Sequence, residues 1–270
     1  MAETVSPAAY LLALGAKAVS LLHLGQFGDV LRIVRTGRET AEKNELEPWI
    51  FVFREAWLRS LCFDFEGVRQ LGTMNTRSDP DRHAVQPGTI ALVAAGHAEL
   101  YQENYAAASR CFAKVLDSSA TPKFFLHWHW RIQAHLGLTA ALAGSGDVAQ
   151  ARLEAARCLE SAQSTADPNL QALALEMSAR VAFADHDLSG SQQSIQNALA
   201  ILEKFDVPVA AWRVHAAAWE LCPNRTEGEC HRAVARDTIL RIASSFDPEE
   251  PLRASLLSAA PVRPLFGSGR

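Results

Sequence analysis

Residues 87–121 read PGTIALVAAGHAELYQENYAAASRCFAKVLDSSAT, and their spacing decides the fold. Pro87 opens the stretch, at the helix position where a missing N–H costs nothing. Ile90, Leu92, Val93, Ala94, Ala95, Gly96, Ala98 and Leu100 then supply an apolar helix. Glu103-Asn104-Tyr105 interrupts it. Ala108, Phe112, Val115 and Leu116 follow at steps of four, three and one, a single stripe on a second helix. Gly96 costs about 1 kcal/mol against alanine inside a helix. It is tolerated where a neighbouring helix comes close. Ala108 lets the two helices touch, and Phe112 fills the gap beside it.

The same hairpin recurs along the chain. Seven of the twelve prolines, Pro7, Pro48, Pro87, Pro122, Pro168, Pro208 and Pro248, stand 41, 39, 35, 46, 40 and 40 residues apart. Second helices start after short polar junctions: Gly25-Gln26-Phe27, Phe63-Asp64-Phe65, Glu103-Asn104-Tyr105, Gly146-Asp147-Val148 and His186-Asp187-Leu188. A longer sixth junction spans Pro223 to Glu227. A period near forty predicts one helix pair reused about six times, a solenoid in which each unit contacts its neighbours.

These residues resemble the tetratricopeptide repeat. Gly96, Tyr105, Ala108 and Phe112 match its small residue in helix one and its Ala-x-x-x-aromatic step in helix two. Leu92 and Glu99 depart from it, where tryptophan and tyrosine are usual. Trp212, Ala216 and Trp219 supply the paired aromatics in the unit from Pro208. Gly146-Asp147 with Ala151, and Ala198-Leu199, match more weakly; the first two units match by period, proline and junction. The resemblance implies an all-α, right-handed superhelical solenoid of about six antiparallel pairs, covering 7–47, 48–86, 87–121, 122–167, 168–207 and 208–246. A cap is expected over 247–266 and a disordered tail over 267–270.

Trp212-Arg213-Val214-His215 and the run from Asp247 to Ala254 look like the end of the repeat regions in large bacterial signal-transduction ATPases and LuxR-type regulators. The resemblance implies a role in bacterial signalling or transcriptional regulation. No Gly-x-x-x-x-Gly-Lys-Ser/Thr loop is present, so ATP hydrolysis by this chain is not supported. Asp247 can cap a helix begun by Pro248, with Glu249 and Glu250 at its positive end. Leu252, Leu256 and Leu257 would then cover the last repeat, and Pro261 and Pro264 would end the helix. Residues 73–86 form the most loop-like connection, a long surface link or, alternatively, a binding loop or a hinge that lets the first two units pivot.

Composition narrows the function classes. The 270 residues are 49% hydrophobic and 21% charged, which fits a folded, soluble chain. A net charge of −4 lacks the basic footprint of a nucleic-acid binder. Cys62, Cys111, Cys158, Cys222 and Cys230 are odd in number and irregular in spacing, which argues against a disulfide framework. Cys111 and Cys158 read as small buried hydrophobes. Tyr10 to Leu24 is apolar but broken by Lys17, Ser20 and His23 and too short to span a bilayer. No basic flank precedes it, so no signal peptide is expected, and the expected location is the cytoplasm.

Two aromatic clusters stand out. Phe124 to Arg131 places His127 and His129 on diverging helix faces, so they cannot chelate one metal. Trp130 or His129 either packs inward or offers a flat contact to a peptide. Trp49, Phe51, Phe53, Trp57, Phe63 and Phe65 either fill a core or form an interaction patch. Cys222, Cys230 and His231 lack zinc-site spacing and a fourth ligand. The pairs Asp185/Asp187 and Glu249/Glu250 suit capping. No serine stands in a nucleophile-elbow sequence.

In such an array first helices line the inner surface. Polar and aromatic residues breaking their apolar stripes are the binding candidates: Arg54, Trp57, His97, Tyr101, Trp130, Gln133, Glu176, Arg180 and Arg213. That mixture suits a peptide or partner helix. The expected function is non-enzymatic protein or peptide binding, without cofactor, metal, nucleic acid or membrane. A small-molecule or signalling-peptide sensor and a self-associating structural module are the alternatives. Ala108→Arg overpacks the helix contact and buries a charge there. Thermal unfolding should show a strong loss of stability, and an unchanged Tm would refute the packing.

Overall fold

Ser6 accepts a hydrogen bond from the Ala9 N–H, Pro7 takes the first helical position, and α1 (Pro7–His23) begins there. The computed structural model describes residues 6–74, 85–118, 127–222 and 224–267. Among these residues there is no strand, and the chain continues as α2 (Phe27–Lys43), α3 (Trp49–Leu61), α4 (Phe65–Met74), α5 (Val85–Tyr101) and α6 (Tyr105–Ser118). Then come α7 (His127–Gly144), α8 (Val148–Gln163), α9 (Pro168–Ala184), α10 (Leu188–Leu202), α11 (Pro208–Leu221), α12 (Arg225–Ala243) and α13 (Pro251–Ser258). A 3₁₀ turn, Arg263–Phe266, follows.

The proline ruler holds at most of its marks. Pro168 and Pro208 start α9 and α11, Pro48 precedes α3, and Pro87 falls in the first turn of α5. Pro122 lies outside the described residues, as do residues 75–84 of the loop-like connection, Phe124 to Leu126, and the tail 268–270. Pro248 is the exception. It sits in a turn closed by Glu250 N–H on the Asp247 carbonyl, and the helix starts at Pro251. A residue before proline is driven out of the helical region, and Glu250 is extended at φ −70°, ψ 123°. A helix begun at Pro248 would have met that block within its first turn.

All five short junctions turn the chain where their spacing placed them, and they do so identically. The first residue of each is left-handed: Gly25 (φ 69°), Phe63 (63°), Glu103 (62°), Gly146 (85°) and His186 (61°). The next N–H reaches back to a carbonyl of the preceding helix in every case: Gln26 to Leu21, Asp64 to Arg59, Asn104 to Glu99, Asp147 to Leu142 and Asp187 to Ala182, at 2.9–3.0 Å. This is the Schellman closure, which satisfies otherwise orphaned carbonyls. Three middle residues then cap the second helix. Asp64, Asp147 and Asp187 accept from the N–H groups of Gly67, Gln150 and Gly190.

The helices pack in chain order, and first helices also meet across one unit: α1 with α3, α7 with α9, α9 with α11. The chain groups into two compact units. The larger comprises Leu92–Leu240 with Ala260–Arg270. Its core runs through Ile132, Leu136, Cys158, Leu170, Leu173, Met177 and Val214, from α7 to α11. Glycine admits an aromatic ring here. A Cβ on Gly96 would stand 2.7 Å from the Phe112 ring, and one on Gly137 would overlap it. Phe112 is fully buried between the two, and Ala108 beside it is also inaccessible. Cys158 is buried as the sequence suggests, whereas Cys111 is half-buried.

The smaller unit joins Met1–Ala91 to Arg241–Ala259. Here the expected cap takes a different partner. Gly28 N–H donates to Ser245 Oγ at 3.0 Å, the Phe27 and Phe246 rings meet edge to face at 6.2 Å, and Arg35 pairs with Glu250 at 2.9 Å. Leu252 and Leu256 are buried and Leu257 half-buried. The segment is therefore seated on α2. Gly28 makes the approach possible, because a Cβ there would overlap the Ser245 carbonyl.

Three of the five left-handed residues carry a side chain, at a cost of about 1–2 kcal/mol each. Glu103 and His186 are exposed, so no packing is lost on replacing them. Glu103→Gly and His186→Gly should each raise stability by about 0.5–1 kcal/mol, and Gly146→Ala should lower it by about 1 kcal/mol. Denaturant unfolding of the three variants measures this, with equal midpoints the contrary result.

Candidate functional site

Glu176 and Arg180 stand one turn apart on α9, and Arg213 comes from the first helix of the next pair, α11. Glu176 is 1% exposed, so its carboxylate needs partners. It has two. Arg180 Nε donates to Oε1, and Arg213 Nη2 donates to Oε2 at 2.8 Å. Arg180 Nη1 continues to Glu220 Oε2 on α11 at 2.6 Å. Burial pushes the Glu176 carboxyl upward, but the charges of Arg213 and Arg180 outweigh it and hold the group below the usual carboxylate range. Burial lowers the Arg180 guanidinium, yet Glu176 and Glu220 carry it above its ordinary value.

His97 and Tyr101, one turn apart on α5, complete the group. Their rings stack at 6.4 Å, and His97 meets Phe112 edge to face at 5.2 Å. Burial, aided by the positive charge of Arg213, holds the His97 imidazole down at about 4. Burial raises the Tyr101 hydroxyl above its ordinary value, with smaller contributions from the charges of Arg213, Glu176 and Arg180, while the residue remains 40% exposed. Helices α5, α9 and α11 thus supply two guanidiniums, two carboxylates, a neutral imidazole and a partly exposed phenol.

Five of the nine candidates named from sequence meet here: His97, Tyr101, Glu176, Arg180 and Arg213. Four do not. Gln133 is half-buried on α7 and makes no polar contact among the described residues. Trp130 is 2% exposed, so it is a core side chain and offers no flat contact to a ligand; His129 beside it is equally buried, and Trp128 is the exposed ring of that run. Trp57, 4% exposed, packs against His23 with centroids 5.7 Å apart. Arg54, 3% exposed, belongs with Trp57 in the smaller unit.

Glu220 was missed from sequence, although the period points to it. It lies 40 residues after Arg180, one repeat on. Other titratable groups pair elsewhere in the larger unit. Asp187 caps α10, and Asp185 pairs with Arg152 at 2.9 Å. His135 bonds Glu154 in the core, and His231 meets His215 Nδ1 to Nδ1 at 2.9 Å instead of joining Cys222 and Cys230. Among the described residues no three His, Cys, Asp or Glu side chains are grouped to hold a metal ion, and no helix is long and apolar enough to cross a membrane. The chain matches no protein-family model and no curated protein.

Donors and acceptors in this patch hold one another in place. Glu176→Gln removes the anion shared by two cations. It should cost roughly 2–3 kcal/mol, under the 3–5 kcal/mol of a fully buried pair because both guanidiniums keep solvent contact. The sign in acid follows from the lowered carboxyl. The Glu176 contribution is complete above the unfolded pKa of about 4.3 and vanishes as pH falls through the lower folded value. His97 adds an earlier decline, between its ordinary 6.5 and about 4, because the unfolded chain takes the proton first. Unfolding measured from pH 7 to pH 3 should show both declines in the native chain. The lower one should shrink in Glu176→Gln, the Glu154 carboxyl, also held below its ordinary value, keeping part of it.

Proposed function

We propose that the chain is a non-catalytic binding module that holds a segment of another protein against the patch formed by α5, α9 and α11. One observation carries the reading: first-helix positions from two successive pairs, α9 and α11, converge on a network in which Glu176, Arg180, Arg213 and Glu220 fix one another. Side chains held in place lose little entropy when a ligand docks. Tyr101, exposed beside the network, supplies the aromatic contact area that recognition surfaces favour. The alternation of cation and anion suits a mixed-charge peptide better than a polyanion.

The finer architecture belongs to this reading. The repeated proline, junction and glycine seat support a tetratricopeptide-type array of six pairs wound right-handed. The C-terminal resemblance supports a place in bacterial signalling or regulation, with the partner met in the cytoplasm.

Tyr101→Ala tests the reading without touching the ion pairs. Immobilised native chain and variant are exposed to extract of the source cell, and retained proteins are identified by mass spectrometry. A partner retained by the native chain and lost at least tenfold with Tyr101→Ala, at unchanged Tm, is the expected result. Equal retention by both forms would overturn the assignment of the patch.

A further inference from the structure

Arg54 is charged, almost wholly enclosed, and has no anion. It is 3% exposed on α3. Among the described residues it makes one hydrogen bond, from Nε to the Gly15 carbonyl on α1 at 3.4 Å, and no ion pair. Its guanidinium carbon lies 4.9 Å from the centre of the Phe53 ring. Carboxylates elsewhere in the smaller unit are already paired. Glu55 is gripped by Arg38 at 2.7 Å and by Arg59 at 2.8 Å; Asp64 is taken by Arg59 at 2.5 Å; Glu250 is taken by Arg35. Adjacent helical residues diverge by about 100°, so Glu55 serves another face.

Enclosing a cation without a partner is costly. Burial lowers the guanidinium to about 10, which still leaves it protonated at neutral pH. Among the described residues its two terminal nitrogens make no hydrogen bond. A second unsatisfied atom stands on the same helix pair: His23 Nε2 on α1 is buried without a hydrogen-bond partner, its ring edge-on to Trp57. Trp57 lies one turn beyond Arg54.

We infer that Arg54 is the anchor of a carboxylate-binding site between α1 and α3. A planar carboxylate accepts from both terminal nitrogens of a guanidinium at once. A single arginine neutralises one negative charge, which fits a carboxylate and leaves a phosphate dianion half-compensated. The Phe53 ring beside it suits an acid carried on an apolar body. The chemistry is shared by a free small acid and by an acidic side chain of a peptide. This site lies in the smaller unit and does not depend on the patch proposed above.

Arginine Nε–Hε NMR resonances read the site directly. The native chain and Arg54→Met are titrated with sodium acetate against sodium chloride at equal ionic strength, and separately with sodium phosphate and an amidated pentaglutamate peptide. The expected result is a saturable shift of the Arg54 resonance with acetate and a Tm rise of roughly 3 °C at ten times Kd, absent in Arg54→Met. Saturation by the peptide at a far lower concentration assigns the source as a protein segment; parity with acetate assigns it as a small acid. If Arg54→Met fails to fold, Arg54→Lys replaces it, and at least tenfold weaker acetate binding is expected. A linear response equal to chloride, saturation by phosphate alone, or an unchanged acetate response in the variants would overturn the inference.

Discussion

Five helix pairs among the described residues each turn on one residue held at positive φ. That constraint sets the rest. The left-handed residue redirects the backbone, the following N–H closes on the preceding helix, and the next helix starts two residues later. Because the turn geometry is the same at Gly25, Phe63, Glu103, Gly146 and His186, the second helix always leaves at the same place relative to the first. Positions counted back from that turn then fall at equivalent places. Trp57, His97 and Arg180 each stand eight residues before a second helix. Two of them join the candidate patch, and the third neighbours the unpaired arginine.

The period therefore returns as a contact distance along the chain. Arg54 reaches a carbonyl 39 residues earlier, Arg180 a carboxylate 40 residues later, and Arg213 one 37 residues earlier. The same register seats Phe112 between Gly96 and Gly137. A ring there replaces the van der Waals surface that two Cβ atoms would have supplied. The close helix approach thus depends on glycine at both positions, and an alanine at Gly137 would have to move the ring.

How far the sequence could be read follows from the range of the interaction. Junctions and helix starts were legible because their chemistry is local: a capping aspartate, a proline, a residue tolerant of positive φ. Pro248 misled because Pro251 offered a competing start, and the rule for residues before proline favours the later one. The seat of residues 241–259 was invisible, since it depends on Gly28 and Arg35, more than 200 residues away. Trp57 and Trp130 were ambiguous for another reason. An aromatic side chain serves a core and a binding face equally well, and only the packed neighbours decide. Charged residues were more readable. A Glu and an Arg four apart on an otherwise apolar helix must satisfy one another or a neighbour, and Glu176 with Arg180 does both.

Glu176 and Arg54 are the two most enclosed charges on first helices that were named from sequence, and they solve the same problem oppositely. The carboxylate of Glu176 is overcompensated, with two cations inside the fold, and its titration moves to favour the charge. The guanidinium of Arg54 is undercompensated, and its titration moves against the charge. A protein keeps an enclosed, unpaired cation only against a free-energy cost that an apolar residue of similar length would avoid. The Phe53 ring and the Gly15 carbonyl offset part of that cost, but neither carries a formal charge. The remainder is available to any anion small and flat enough to reach the two unbonded nitrogens, so the same enclosure that weakens the free chain strengthens its grip on such a ligand.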